Sequence, residues 1–248
     1  MNDLIRVGDQ YNDIELLKRN LPKIQLIGAM GANGVIGDSK SDKLPWADDK
    51  SLKWDMDNFK TLTMYSPIIM GYKTALTFKK PLNSRYNIVI NSHQGISLLD
   101  SVDGRMIDRH YDVLDNIGFL SPTQKFIEVP SLEFAIKIVL LSNLFFEYEF
   151  EKCFIIGGAK TYKEALEKEY PSSLILTSFD ESFEGDVLFP TKLCKENETK
   201  YRVYQSDDFH NGNITYHEII DPEWEERVIK NVLLTEFQRI RNGIKNEE

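Results

Sequence analysis

The sequence predicts an α/β fold: a central, mainly parallel eight-stranded sheet with helices on both faces and an antiparallel edge at its C-terminal end. Three observations predict it. Short apolar runs such as Lys23-Ile-Gln-Leu-Ile-Gly-Ala-Met and Tyr86-Asn-Ile-Val-Ile-Asn alternate with segments of helical period. The last two runs, Tyr201-Arg-Val-Tyr-Gln and Ile214-Thr-Tyr-His-Glu-Ile-Ile, are joined through Asn211-Gly212-Asn213 and read as an antiparallel pair. The 248 residues, 42% of them hydrophobic, are enough to bury a sizeable core without staples.

Residues 1–22 carry a weak helical pattern (Tyr11, Ile14, Leu17, Leu21) that stops at Pro22, and they are read as an appendage. The first buried strand, Lys23 to Met30, runs into Gly31-Ala-Asn-Gly-Val-Ile-Gly, whose glycines suit tight turns or close ligand approach. A polar loop from Asp38 to Lys43 leads to a helix beginning near Asp48 or Asp49. On that helix Leu52, Asp55, Met56, Phe59, Leu62 and Thr63 share one face, so Asp55 stands inside an apolar stripe. Two readings are open: a first-turn acid complementing the helix dipole, or a desolvated carboxylate held for chemistry. Asp48, Asp49 and Asp57 are free to face water.

Ser66-Pro-Ile-Ile-Met-Gly and Tyr86 to Asn91 are the next strands. The long connection from His93 to Gln124 holds a short helical pattern around Asp108 to Ile117, and residues of about 94–124 read as an insertion without an assigned role. Lys125-Phe-Ile-Glu-Val is a strand, Ser131 to Glu147 a helix capped by Ser131, and Cys153-Phe-Ile-Ile a further strand. Gly157-Gly158-Ala-Lys-Thr-Tyr then opens a helix through Leu166. Its exposed N–H groups and positive dipole end favour a phosphate, although a plain tight turn fits the same residues. Ser173-Leu-Ile-Leu-Thr-Ser-Phe is a strand with Thr177 as its polar insertion. After the final strand pair, Asp221-Pro-Glu-Trp opens a helix with Asp221 as cap, and Val228, Val232, Leu233, Phe237 and Ile240 form its stripe, with Gly243 able to end it. Such a helix must lie on its own domain, a second subunit or a partner, its own domain being the expected support.

A net charge of −9 argues against a nucleic-acid footprint and favours small-molecule chemistry. No apolar run approaches the roughly 20 residues of a membrane span, and the cluster around Ile138 to Phe146 reads as buried helix. The amino terminus lacks a basic start followed by an apolar core, so a cytoplasmic location is expected by default. Cys153 and Cys194 make no metal spacing and give no reason to expect a disulfide; no metal site is expected.

Taken together, the order of motifs over about Lys23 to Ile220 resembles dihydrofolate reductase, with the Ser92 to Lys125 region lengthened. The pieces are Ile27-Gly-Ala with Gly34-Val-Ile-Gly, Leu44-Pro-Trp46, the helix with Asp55 and Phe59, Ile69-Met-Gly71 with Thr74, Pro81-Leu82 with Arg85, Ile156-Gly157-Gly158 with Tyr162, Leu176-Thr177, and Glu184-Gly-Asp186 with Phe189-Pro190. No single piece is specific; their joint occurrence at compatible spacing is. The resemblance implies a reductase-like domain over 23–220, flanked by an N-terminal appendage (1–22) and a C-terminal helical extension (221–248). It also implies reduction of 7,8-dihydrofolate by hydride from NADPH.

In that frame Asp55 is the carboxylate that pairs with the pterin and favours protonation at N5, Thr177 its hydrogen-bonding partner, and Trp46 the holder of a nearby water. Ile27, Ala29, Met56, Phe59, Phe78, Leu82, Ile156 and Tyr162 would line the substrate site, and Arg85 would take the glutamate α-carboxylate. Each apolar member is equally readable as core. The resemblance places the cofactor along Ala29, Ile36, Gly37, Gly71, Tyr72, Lys73, Thr74, Asn91, Ser92, His93, Ile156, Gly157, Gly158, Ala159, Lys160, Thr161 and Tyr162. Tyr72 stands where bacterial relatives often have arginine, and Ala75 where the family usually has tryptophan. Lys73, His93 and Lys160 could supply the positive charge a 2′-phosphate needs. Antifolates such as methotrexate or trimethoprim would be inhibitors, and the extensions would be the surfaces offered to an oligomer or protein partner. Two rivals share the fold: a pyrimidine reductase of riboflavin synthesis, against which Asp55, Phe59 and Arg85 speak, and a non-catalytic assembly protein.

Overall fold

A computed structural model of the chain describes residues 10–41, 43–47, 51–78, 80–92, 97–99, 126–145, 149–196, 200–209, 211–235 and 237–238. The short helix expected around Asp108 to Ile117, Ile240 and Gly243 lie outside them. In chain order the elements are α1 (Gln10–Asn20), β1 (Lys23–Met30), β2 (Val35–Gly37), α2 (Ser51–Thr63), β3 (Pro67–Gly71), α3 (Tyr72–Phe78), β4 (Tyr86–Ile90), β5 (Ser97–Leu99) and β6 (Phe126–Val129). They continue with α4 (Leu132–Phe145), β7 (Lys152–Gly157), α5 (Ala159–Glu167), β8 (Ser173–Phe179), β9 (Val187–Leu188), α6 (Thr191–Glu196), β10 (Tyr201–Phe209), β11 (Gly212–Ile219) and α7 (Trp224–Val228), which runs into a π-helical turn, Ile229–Leu233.

The main sheet has the order β10-β11-β8-β1-β7-β3-β4-β6-β5. Its six central strands pair in parallel, and antiparallel strands close both edges. The eight expected strands are all present. Strand β5 is the addition to the main sheet, a three-residue edge within the long connection, and β2 and β9 are further strands beyond the expected eight. A second, two-stranded sheet joins β2 to β9.

The pleat sends alternate residues of each strand to opposite faces, and two apolar clusters follow from it. On one face Ile27, Ile68, Met70, Val89, Phe154, Ile156 and Ile175 pack with Phe59 and Leu62 of α2 and Ala75 and Phe78 of α3. On the other, Ile24, Leu26, Ile69, Ile88, Cys153 and Ile155 pack with α4 and α5. Helix α4 starts one residue past its expected cap: the Ser131 hydroxyl accepts the N–H of Phe134 at 3.1 Å.

The apolar character of α4 on several sides has a structural cause, because its outer surface is covered too. Leu17 of α1 and Trp224, Val228, Ile229, Val232, Leu233, Leu234 and Phe237 at the C-terminal end belong to the same buried cluster. Trp224 Nε1 donates to the Tyr170 carbonyl at 3.1 Å. Glu169 draws ion pairs from Lys200 and, at 3.4 Å, from Arg227. The C-terminal helix thus lies on its own domain. It begins two residues later than expected, at Trp224 instead of Pro222, and Asp221 closes the turn before it: its carboxylate accepts the Glu223 N–H at 2.9 Å and pairs with Arg227. The wider π turn lets adjacent residues, Ile229 with Val228 and Leu233 with Val232, point inward together.

Candidate active site

Asp55 sits in the middle of α2, and the apolar stripe that carries it turns that face toward the sheet. Its side chain is 9% exposed. The Thr177 hydroxyl, projecting from β8, donates to Asp55 Oδ1 at 3.0 Å. Thr177 is held in register by its neighbours, Ala29 on β1 and Ile214 on β11. Burial pushes the Asp55 carboxyl up to about 6, and the Thr177 hydrogen bond pulls the other way. Desolvation wins because one donor replaces only part of the water a carboxylate loses.

Around the carboxylate the expected apolar residues divide into two groups. Ile27 and Ile156 are buried, and Phe59, Phe78 and Leu82 are partly buried against the same cluster. Met56, expected on the same stripe, is instead 38% exposed, because it is one residue round the helix from the buried Asp55 and turns toward solvent. Trp46 is buried, its ring tilted on Phe179 and Phe183 at 4.9 and 5.6 Å, and its Nε1 donor has no partner among the described residues. Tyr162, expected at both subsites, gives its hydroxyl to the Ile27 carbonyl at 2.7 Å and packs its ring on Phe189 at 5.1 Å. Burial first, and the Asp55 charge second, push its phenol above the usual range.

Arg85, by default a surface residue, is 7% exposed. Its Nη1 donates to Thr63 Oγ1 at the end of α2 (3.3 Å), while its Nε is buried without a partner among the described residues. Sequence reasoning missed what builds this loop. Asn87, buried in β4, donates to the carbonyls of Leu82 and Arg85 at 3.0 Å each and accepts the Leu82 N–H at 2.8 Å. A polar residue in the run Tyr86-Asn-Ile-Val-Ile was the available signal.

A glycine cradle lies at the ends of β3 and β7. Gly157 has φ +123, which L side chains rarely adopt, and the Gly157–Gly158 peptide is cis. A Cβ on Gly158 would stand 3.0 Å from Thr74 Oγ1, and one on Gly71 would stand 3.0 Å from Thr161 Oγ1. The four residues therefore converge, with two hydroxyls and the first turn of α5 at Ala159 and Lys160. Tyr72 and Lys73 open α3 in exposed positions, as Lys160 does on α5. Asn91 follows β4 and donates to Glu128 at 3.4 Å, Ser92 is exposed, and His93 lies outside the described residues. Ile36 and Gly37 sit half-buried on β2. That strand is tied to the β9 region by Asp186, whose carboxylate accepts the Ser39 N–H at 2.6 Å.

Among the described residues no cluster of His, Cys, Asp or Glu could hold a metal ion, and no helix is long and apolar enough to cross a membrane. Cys153 is a buried free thiol, pushed up to about 12 by desolvation.

A parallel-centred α/β domain with a buried carboxylate on its sheet-facing helix and a glycine cradle at the strand ends is suited to an enzyme that takes a small molecule beyond the ends of its strands. The family model for dihydrofolate reductase matches residues 23–117 and 121–220. A dihydrofolate reductase of Buchnera aphidicola (subspecies Acyrthosiphon pisum) is 33% identical over 172 residues, covering 67% of this chain and 78% of its own. One from Bacillus subtilis is 32% identical over 172 residues, covering 67% and 75%. The fold matches that of a dihydrofolate reductase from Enterococcus faecalis solved with NADP(H) and RAB-propyl. The TM-score is 0.53 at 22% identity, over 80% of this chain and 97% of that one. The chain belongs to the dihydrofolate reductase family, whose reaction is the reduction of dihydrofolate.

Proposed function

We propose that the chain reduces 7,8-dihydrofolate to 5,6,7,8-tetrahydrofolate with NADPH, by hydride transfer to C6 and protonation at N5, and that Asp55 is the residue that anchors and polarises the pterin. The observation that carries this reading is the buried Asp55 carboxylate paired with Thr177. An uncompensated buried charge is costly, and an amino-pyrimidine edge offers the N–H donors that would satisfy the remaining carboxylate lone pairs. With Oδ1 already accepting from Thr177, the carboxylate orients the ring and favours positive charge developing at N5. Trp46 Nε1, buried and unpaired, is a donor suited to a water beside the ring, and Arg85 Nε to a substrate carboxylate.

The cofactor fits the chain on a separate observation. Gly71 and Gly158 leave open the space that a Cβ would take from the Thr74 and Thr161 hydroxyls, and those hydroxyls with the N–H groups opening α5 suit a pyrophosphate. NADPH, when bound, supplies the hydride. Lys73 and Lys160, both exposed, are the cations we assign to its 2′-phosphate. We assign the reductase unit to 23–220, with 1–22 and 221–248 as additions, and infer a cytoplasmic setting and inhibition by antifolates such as methotrexate or trimethoprim.

The test is oxidation of NADPH by the purified protein, expected only when dihydrofolate is present. Asp55→Asn should lose most of this rate at neutral pH and regain part of it in acid, where the substrate itself is protonated. Full activity in Asp55→Asn would overturn the mechanism, and a wild-type protein binding neither NADPH nor methotrexate would favour an assembly role instead.

A further inference from the structure

Helix α2 is fastened at the edge of the sheet by contacts outside its apolar stripe. Trp54, the residue before Asp55, is 39% exposed, yet its ring stacks on Phe209 at the end of β10, with centroids 4.4 Å apart and planes 25° from parallel. Phe209 in turn meets Phe179 of β8 edge-on at 5.8 Å. One turn further along α2, Asn58 lies near Tyr216 of β11, where burial raises the phenol and Asn58 acts weakly in the opposite direction. The same hairpin supports the other partner of the carboxylate, since Ile214 of β11 is paired with Thr177. The β10–β11 hairpin therefore grips both the helix that carries Asp55 and the strand that carries its donor.

We propose that Trp54 and Phe209 are positioning residues for Asp55: their stack holds the first turns of α2 against the hairpin and keeps the carboxylate in its water-poor seat beside Thr177. The proposal deepens the reading of Asp55 given above and rests on it. Neighbouring residues on a helix move together, so a displacement of Trp54 by a fraction of a turn swings the Asp55 carboxylate away from Thr177 and toward solvent. Among the described residues Thr177 of β8 donates to Asp55, and Tyr162 of α5, its hydroxyl on the Ile27 carbonyl, feels the Asp55 charge. Lys53 and Asp57 on α2, and Asp207 and Asp208 on β10, are exposed. Arg85 engages α2 at its far end, through Thr63. Removing the stack leaves those charges in water and changes chiefly the solvation of Asp55.

The test is a carbon-13 NMR titration of the Asp55 carboxyl in the full chain, together with steady-state kinetics. In Trp54→Ala and Phe209→Ala the titration should move toward acid by about half a pH unit or more as water reaches the group. Turnover at neutral pH should fall about fivefold, with KM for dihydrofolate less affected. Trp54→Phe and Phe209→Tyr, which keep the stack, should titrate like wild type. An unmoved titration in both folded alanine variants overturns the proposal. If either alanine variant fails to fold, Phe209→Leu, which keeps bulk without a stacked ring, decides by the same titration. An inactive wild type with a shifted alanine titration would overturn the reductase reading alone, whereas an active wild type with an unmoved one would overturn this inference alone.

Discussion

Thr177 on β8 and Asp55 on α2, 122 residues apart in sequence, meet through a hydrogen bond of 3.0 Å inside the protein. Because that bond favours the ionised carboxylate while burial opposes it, removing it should raise the Asp55 titration above about 6. Thr177→Val, which keeps the shape, should therefore shift the pH dependence of turnover toward alkali. This direction is opposite to that of the Trp54 and Phe209 variants. A pH profile that stays in place would show that Thr177 does not act on the carboxylate.

The same raised titration makes Asp55 a burden on stability at neutral pH. Its folded-state value of about 6 lies above the ordinary 3.8, so the native protein holds the proton more tightly than the unfolded chain. Stability from this group is complete below about pH 4 and is lost as pH rises through 6. Asp55→Asn should accordingly stabilise the protein at pH 7 by up to about 3 kcal/mol, with the gain vanishing near pH 4. Urea unfolding of both proteins at the two pH values measures it, and equal midpoints at pH 7 would contradict it.

At the glycine cradle two substitutions should separate. Gly158→Ala puts a methyl 3.0 Å from Thr74 Oγ1 without backbone strain, and should weaken NADPH binding about tenfold with little change in melting temperature. Gly157→Ala meets a φ of +123 and should cost on the order of 1–3 kcal/mol of stability. Titration calorimetry with NADPH and thermal melts distinguish them. Undiminished NADPH affinity in Gly158→Ala would mark the pair as a turn and nothing more.

Trp224 is the anchor of the C-terminal helix. Trp224→Ala should destabilise the chain by about 3–5 kcal/mol, and Trp224→Phe, which loses the bond to the Tyr170 carbonyl, by about 1 kcal/mol. Turnover per folded molecule should stay at the wild-type value in both, since this residue packs on the face of the sheet away from Asp55. Denaturant titration alongside kinetics checks both halves. A loss of turnover without a loss of stability would refute the separation.

Much of the site was legible where one helix or one strand sufficed. The 3.6-residue period alone put Asp55 among apolar neighbours, and a lone threonine in Ser173-Leu-Ile-Leu-Thr-Ser-Phe marked Thr177 as unusual. That the two face each other is a fact of strand order, which no local pattern encodes, and the motif resemblance supplied it. The strand Ser97–Leu99 escaped notice because three residues carry no period. The seat of the C-terminal helix did leave a signal, since α4 is apolar on more sides than one sheet can cover. Trp54 meeting Phe209 left none: an aromatic beside an acid on a helix looks like any exposed ring until the hairpin is folded beside it.

Both terminal helices rest on α4, while Asp55, Arg85 and α3 occupy the opposite face of the sheet. The protein thereby keeps two kinds of mutational consequence on separate surfaces. Changes among Leu17, Trp224, Val228 and Phe237 should alter how much folded protein there is, and, on the proposed function, changes among Phe59, Phe78 and Leu82 should alter what the folded protein binds. On that reading, a variant selected for drug resistance could draw on the first surface to restore abundance lost through the second, because the strands of the sheet lie between them.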